Sequence, residues 1–311
     1  MKRWLVLLVL LIATGLWWTI THLHDHLAIT RPSGSRTAVV EGWLPRERIP
    51  DAVQLLLRGG YDRVYVTGTT RLFAYYLEQD QAVRVEFSGP VDGELMVNAS
   101  GIDGGRLVLV SEQDTLLDIT VSGTPTEYRT ALPRGSRTLL LRSVHARALE
   151  PRTKNLFIKE LQLNGTNVHA LASTCTMQKA DGSSAPAAPT FAEWGAWLLV
   201  EAGIPADRAI PVPASVVGAG RTVANARAFA TRAKADGITG ADLFSLGVHA
   251  RRSHLLYEEA CGSTVRMGVI ALNDPDTPPD GWWKNRLGLV RVLKELVGIP
   301  ASEVLEGDSH P

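Results

Sequence analysis

Apolar and polar positions follow different periods along successive stretches of this 311-residue chain. Between 37 and 68 the order is strand, helix, strand. TAVVE at 37–41 is a short β-branched run that ends at Gly42, and Ile49, Val53, Leu56 and Leu57 follow at helical spacing. Gly59-Gly60 stops that helix, since glycine tolerates the left-handed position past a helix end. Residues 63–67 form a second strand that ends at Gly68. From Val83 the period drops to two, in VRVEF, GELMVNA, GRLVLVS, LLDITVS, RTLLLRSV and NLFIKELQLNG, divided by Gly, Pro, Asp and Ser. Short strands at such spacing predict a β-sandwich. Residues 171–189, with SSAPAAPT, read as a linker back. Helix and strand then alternate again: helix 191–202, strand 209–212, a helix from Thr222, strand 241–248, a helix through Tyr257, strand 265–272 and helix 287–297. The expected class is therefore α/β, a doubly wound, mainly parallel sheet interrupted by an inserted β-sandwich. The expected bounds are 37–79 and 190–300 for the discontinuous α/β domain, and 80–170 for the insert.

The N-terminus adds another element. Lys2 and Arg3 precede the uncharged run WLVLLVLLIATGLWWTI at 4–20, which as a helix is roughly 25 Å long, close to a bilayer's hydrocarbon core. Trp17 and Trp18 sit at its far end, where indole rings favour the interface. The expectation is a transmembrane anchor over residues 1–25 in a bacterial inner membrane, with the N-terminus cytoplasmic and everything after about residue 25, beginning with the 26–36 linker, periplasmic. A cleaved signal peptide is the alternative, although no small-x-small site follows the run.

Charge narrows the partners. Lys+Arg and Asp+Glu are both 32, so no basic excess points to nucleic acid. Cys175 and Cys261 are the two cysteines. In an oxidising compartment they can pair, and two separate buried thiols are the alternative; neither has His or Cys at metal-ligand spacing.

In an open parallel sheet, ligands bind beyond the carboxyl ends of the strands near a switch in strand order. That rule selects Glu41-Gly42, Thr67-Gly68-Thr69, the 214–222 loop, His249 to Arg252, and Asn273-Asp274. The stretch ASVVGAGRTVAN at 214–225 places Gly218, Gly220, Arg221 and Thr222 at a helix start, where free N–H groups and the dipole favour an anion. An ordinary threonine cap is the plainer reading of Thr222. Asn225, one turn on, points into the cleft or holds a loop. His249 can carry a proton near neutral pH, and Arg252 can hold a phosphate or carboxylate. Glu41 is the nearest carboxylate for a base, or a partner for Arg252. Trp282 and Trp283 read as packing residues.

At these residues a resemblance is visible. VVEGW with its following helix, DRVYVTG, GIPADRAIPVP, RTVANA and VHARRS are similar to the YdcF/SanA-like family, a domain of unknown function in bacterial envelope proteins. The likeness covers about 36–77 and 190–298. Carried over by position, it implies Thr222, Asn225, His249 and Arg252 as site residues, with Gly42 and Gly68 as strand-end glycines. The family's helix with a leading Glu would follow where the insert falls, and Glu193 is its approximate counterpart. The insert resembles the calcium-dependent xylan-binding type of carbohydrate-binding module through NLFIKELQLNG at 155–165 and the early strands. That likeness implies calcium and sugar ligands. The family's Asn-Asp pair is missing from the matching stretch SVHARALEPRTKN at 143–155, so the oxygen ligands a hard cation needs are incomplete.

The functional expectation is a protein, anchored in the inner membrane through 4–20, that binds or acts on cell-envelope glycans or their lipid-linked, phosphate-containing precursors. If it is an enzyme, the reaction is hydrolysis or transfer. His249 would be acid/base, Arg252 and the Thr222 helix start would hold an anion, and Glu41 or Asn225 would orient the histidine. Gly42, Thr67, Gly68 and Arg221 complete the candidate ligand-binding set. The alternative is a non-catalytic binding or scaffold protein with a nucleotide-like or glycan ligand in the same cleft. No nucleophile elbow, metal cluster or Ser-His-Asp set can be named from the sequence.

Overall fold

The computed structural model of the chain describes residues 2–101, 105–145, 156–216 and 220–307. In chain order the elements are α1 (Lys2–Leu27), β1 (Thr37–Glu41), α2 (Ile49–Arg58) and β2 (Arg63–Thr69). Nine strands follow: β3 (Tyr75–Leu77), β4 (Ala82–Gly101), β5 (Gly105–Ser111), β6 (Asp114–Thr120), β7 (Thr126–His145), β8 (Leu156–Leu163), β9 (Thr166–Asn167), β10 (Ala172–Gln178) and β11 (Ser184–Pro186). The chain continues with α3 (Phe191–Glu201), β12 (Ala209–Ala214), α4 (Arg221–Ala235), β13 (Gly240–Leu246), α5 (Ala250–Cys261), β14 (Arg266–Leu272) and α6 (Arg286–Gly307). It divides into two compact units, Met1–Thr69 with Gly195–Pro311, and Thr70–Trp194.

The first unit holds a five-stranded sheet in the order β12-β2-β1-β13-β14, with every neighbouring pair parallel. Its central strand, β1, is buried from Ala38 to Glu41, as a strand covered on both faces should be. Val39, Tyr65, Leu243 and Val212 pack on one face against Ala226 and Phe229 of α4 and Tyr257 of α5. In α2 the buried residues are Ile49, Ala52, Val53 and Leu56, whereas Leu57, expected on the inner stripe, is exposed. A helical turn of 3.6 residues puts 52 and 53, not 57, beside 49 and 56.

The 28–36 segment, read as linker, is tied along the sheet edge. Arg31 and Val269 exchange two backbone hydrogen bonds of 2.7 and 3.0 Å. Buried Asp242 accepts from Ser33 N (2.5 Å) and from the Tyr61 hydroxyl (2.7 Å). The clamp closes over Gly268, where an added Cβ would overlap Asp242 Oδ1 and Ser33 N and lie 2.9 Å from Arg31 O. Gly268→Ala is expected to lower the unfolding free energy by roughly 1–3 kcal/mol, measured by urea denaturation; a change below about 0.5 kcal/mol would show that the segment is not held there.

The second unit is one continuous nine-stranded antiparallel sheet, not two separate ones. The 20-residue strands β4 and β7 pair along their length. The first half of β4 pairs with β10 and its second half with β8. Between Glu86 and Gly93 the β4–β7 register shifts twice, around Gly89, Pro90 and Gly93. Bulges bend and twist a sheet, and Val83, Leu95, Leu107, Leu139, Leu161 and Cys175 thereby share one core. The stretch expected to be a linker, 171–189, supplies β10 and β11 to this sheet.

These observations correct the expected class. The sheets are mixed, five strands parallel and nine antiparallel, so the chain is not a mainly parallel protein with a minor sandwich. The membrane anchor is corrected as well: among the described residues no helix is long and apolar enough to cross a membrane. The last turns of α1 serve the protein core instead. Ile20, Leu23 and Leu27 pack with Trp282, Trp283, Val292 and Leu296, and Trp282 Nε1 donates to the Ile20 carbonyl (3.3 Å). Thr14, Thr19, Thr21, His22, His24 and Asp25 interrupt the apolar run from the middle of the helix onward. The inner-membrane, single-pass localisation rested on that span and falls with it.

Candidate functional site

Numbered within the parallel sheet alone, the strands run 3-2-1-4-5, so strand order reverses between β1 and β13. Crevices at such reversals, beyond the carboxyl ends, are where open parallel sheets bind ligands. β1 ends there on Glu41, and β13 runs through Ser245 into a 3-10 turn, Gly247–His249, that starts α5.

Glu41 is fully buried. A carboxylate out of water needs donors, and two serines provide them: Ser245 Oγ donates to Oε2 (2.5 Å) and Ser253 Oγ to Oε1 (3.1 Å). His249 Nε2 faces Glu41 Oε1 at 3.9 Å. Its other nitrogen, Nδ1, lies 3.0 Å from Oε1 of Glu295, delivered by α6. Arg252, one turn along α5 from His249, donates to the same carboxylate through Nε (2.6 Å, to Oε2) and Nη2 (3.3 Å, to Oε1). Burial pushes the Glu295 carboxyl up, but the hydrogen bonds and charges of His249 and Arg252 outweigh it and hold it at about 2. Trp43 covers the imidazole edge-on, with centroids 5.3 Å apart. Gly195 lets α3 come close to this strand end, since a Cβ there would stand 2.8 Å from the Gly42 Cα.

Thr67 is the register partner of Glu41 on β2, and its carbonyl accepts from Gly42 N (2.7 Å). Its hydroxyl shares a 2.7 Å hydrogen bond with that of Tyr257. Burial, then the nearby Glu41 charge, raises Tyr257 well above its ordinary range, so it stays a phenol. Tyr257→Phe leaves the Thr67 hydroxyl without this partner and is expected to cost roughly 1–3 kcal/mol of stability, read from thermal unfolding; an unchanged Tm would mean the pair is dispensable.

The structure therefore brings Glu41, His249 and Arg252 into one cluster, with Gly42 and Thr67 beside it. Gly68 pairs with Pro213 in the sheet. Arg221 is exposed and Thr222 half-buried at the start of α4; no described hydrogen bond or ion pair joins them or Asn225 to the cluster. Gly220 is the N-cap of α4, with no side-chain cap, so Thr222 is not a capping residue. Gly218 lies outside the described residues. Asn225 is 2 % exposed, and its Oδ1 has no hydrogen-bond partner among the described residues. Glu193 accepts from Thr190 N and Oγ1 while its own N–H donates to Thr190 Oγ1, a capping box for α3. Asp274 is neutralised by Arg291 (2.7 Å) and accepts from Thr277. The cysteines are free, and burial raises the Cys175 thiol to about 12 and that of Cys261 to about 11.

Glu295, Ser245, Ser253 and Trp43 were not singled out from the sequence. One signal existed for Glu295: it follows Val292 by three residues, on the buried stripe of α6. For calcium in the second unit, residues 146–155 of the matching stretch lie outside the described residues. Among the described residues no group of three or more His, Cys, Asp or Glu can hold a metal ion.

No protein-family model matches this chain, so the likeness to the YdcF/SanA-like family gains no support there, and no curated protein matches either. A solved structure described as the EclA C-terminal domain, a sugar-binding protein, is similar at a TM-score of 0.21 and 14% identity, over 33% of this chain and 84% of that one.

Proposed function

We propose that the first unit is a hydrolase or transferase for glycans or phosphate-containing glycan precursors, with His249 as its acid/base at the sheet's switch point. One observation carries the reading: an imidazole oriented by an ionised carboxylate through Nδ1, with Nε2 turned toward a second, buried carboxylate at the strand ends. A base held through one nitrogen by a carboxylate and free at the other is the working part of many acid/base centres. Arg252 is a brace in this scheme, because its guanidinium is committed to Glu295. An anionic part of the substrate would then fall to the N-terminal turn of α4, with Arg221 and Thr222. Glycans are the expected substrates because the 80–170 segment resembles a carbohydrate-binding module and the α/β halves resemble a bacterial envelope family.

The test is turnover by the full chain on a panel of glycosyl phosphates, nucleotide sugars and aryl glycosides. Activity that disappears in His249→Gln supports the enzyme. The pairing of Glu295 with Arg252 and of Glu41 with two serines favours a second reading, a binding protein whose charges are satisfied before any ligand arrives. Saturable ligand binding without turnover, unchanged in His249→Gln, would decide for that reading.

A further inference from the structure

Arg71, two residues past β2, is held at several points within the second unit. Its N–H donates to the Pro189 carbonyl (2.9 Å), and its own carbonyl accepts from Asn167 Nδ2 (2.7 Å) and His169 Nδ1 (3.1 Å). Its Nη1 donates to the Ala188 carbonyl (2.8 Å). The guanidinium lies over the Trp194 ring, 4.6 Å from the centroid, with the Phe191 ring at 6.0 Å. These contacts use one corner of the fork and one face of the plane. Among the described residues Nε and Nη2 have no acceptor, and no carboxylate stands within ion-pair distance. Arg252, also half-buried, differs in that Glu295 neutralises it. The described side-chain polar atoms enclosed without a partner are Asn98 Oδ1 and Asn225 Oδ1, so water reaches both idle nitrogens of Arg71.

The titratable groups packed around this cation carry no charge near neutral pH. Burial pushes the Tyr75 phenol up and the Cys175 thiol to about 12, and it holds His169 at about 4. Glu193 is the carboxylate whose field reaches Cys175, and it is spent on the Thr190 N–H and hydroxyl as the cap of α3. The amino end of that helix adds partial positive charge of its own. Burial works against the Arg71 charge, a cost that a paired anion offsets. A guanidinium stacked on an indole keeps its plane, so the idle edge points one way. Nε–H beside an Nη2 N–H is a fork that matches two oxygens of one anion.

We propose that the Nε–Nη2 edge of Arg71 is an oxyanion subsite of the second unit, taking the carboxylate of an acidic sugar or a phosphate group. The anion lies in the plane of the fork, Trp194 backs that plane, and the Ala188 carbonyl holds the far corner. Every residue of the subsite belongs to the second unit, and the proposal does not rest on the acid/base role of His249.

The experiment is proton–nitrogen NMR of the arginine Nε–H groups, on the full chain with 15N-labelled arginine in mildly acidic buffer. The Arg71 signal is assigned in the wild type by its proximity to the Trp194 ring. Glucuronate and inorganic phosphate are titrated in separately, with ionic strength held constant by sodium chloride. The expected result is a saturable shift of the Arg71 Nε–H with at least one of the two anions. Glucuronate alone names a carboxylate as the ligand group, phosphate alone names a phosphate, and both together name a general oxyanion fork. Arg71→Lys keeps the charge and loses the fork, so by calorimetry it should weaken binding roughly tenfold or more. No saturable shift with either anion, or the same shift with chloride alone, overturns the proposal and leaves Arg71 as a brace to Ala188. Unchanged affinity in a folded Arg71→Lys overturns it too. Should that variant fail to fold, the wild-type signal decides by itself. The readout needs no turnover, so it stands apart from the test of His249.

Discussion

His249→Gln is expected to lower kcat/KM by roughly 10²–10⁴-fold, the range contributed by a positioned acid/base. The loss should fall mainly on kcat, since the glutamine side chain fills similar space and leaves the α5 turn in place, while no group remains to move the proton. The chain should stay folded, because the imidazole is only partly buried and Arg252 can hold Glu295 alone through its 2.6 Å and 3.3 Å contacts. Steady-state kinetics beside a denaturation curve is the check. A variant that keeps more than a tenth of its kcat removes His249 from the chemistry.

The largest expected effect on stability belongs to Glu295→Ala. The side chain is 8 % exposed and its partner Arg252 20 %. Removing one member of a largely buried pair strands the other, which costs about 3–5 kcal/mol. The contribution depends on pH in a fixed direction. The folded-state carboxyl titrates at about 2, below its ordinary 4.5. Its stabilisation is therefore complete above about pH 4.5 and lost as the pH falls toward 2, with a span on the order of 3 kcal/mol. Urea titrations at pH 7 and at pH 2 should show wild type and variant far apart at the first and much closer at the second. A gap of the same size at both would assign the loss to packing instead of charge.

Much of this architecture is visible as local pattern. β1 stands out as TAVVE because a strand covered on both faces must be apolar throughout, and a glutamate closing such a run is conspicuous. His249 and Arg252 stand out because they follow a buried strand at a helix start. What joins them is not local. Glu295 lies 46 positions from His249, and Ser245 and Ser253 lie over 200 positions from Glu41. Sequence periodicity reports which face of an element is buried, not which elements meet, so it shows Arg252 at a helix start and not the Glu295 carboxylate to which it donates. The same blindness affects α1. An apolar run flanked by charge and tryptophan reads as a membrane span, whereas among the described residues no helix is long and apolar enough to cross a membrane. In the second unit, alternation announced strands but could not announce the shifted register between Glu86 and Gly93. The length of β4, which pairs with β10 in its first half and with β8 in its second, is what joins the two expected sheets into one.

The way the second unit leaves and rejoins the chain has its own consequence. Thr70 and Thr190 form an antiparallel bridge, and Arg71 N donates to the Pro189 carbonyl (2.9 Å). The two ends of this 120-odd-residue excursion thus lie side by side, like the feet of a hairpin. The entropy of closing a loop grows only with the logarithm of its length, about 0.6 kcal/mol per doubling. To the parallel sheet, the whole unit is energetically little more than a long turn between β2 and α3. Glu41, His249 and Glu295 are held by contacts made within the first unit, so the register of their cluster does not depend on what is folded between those two feet.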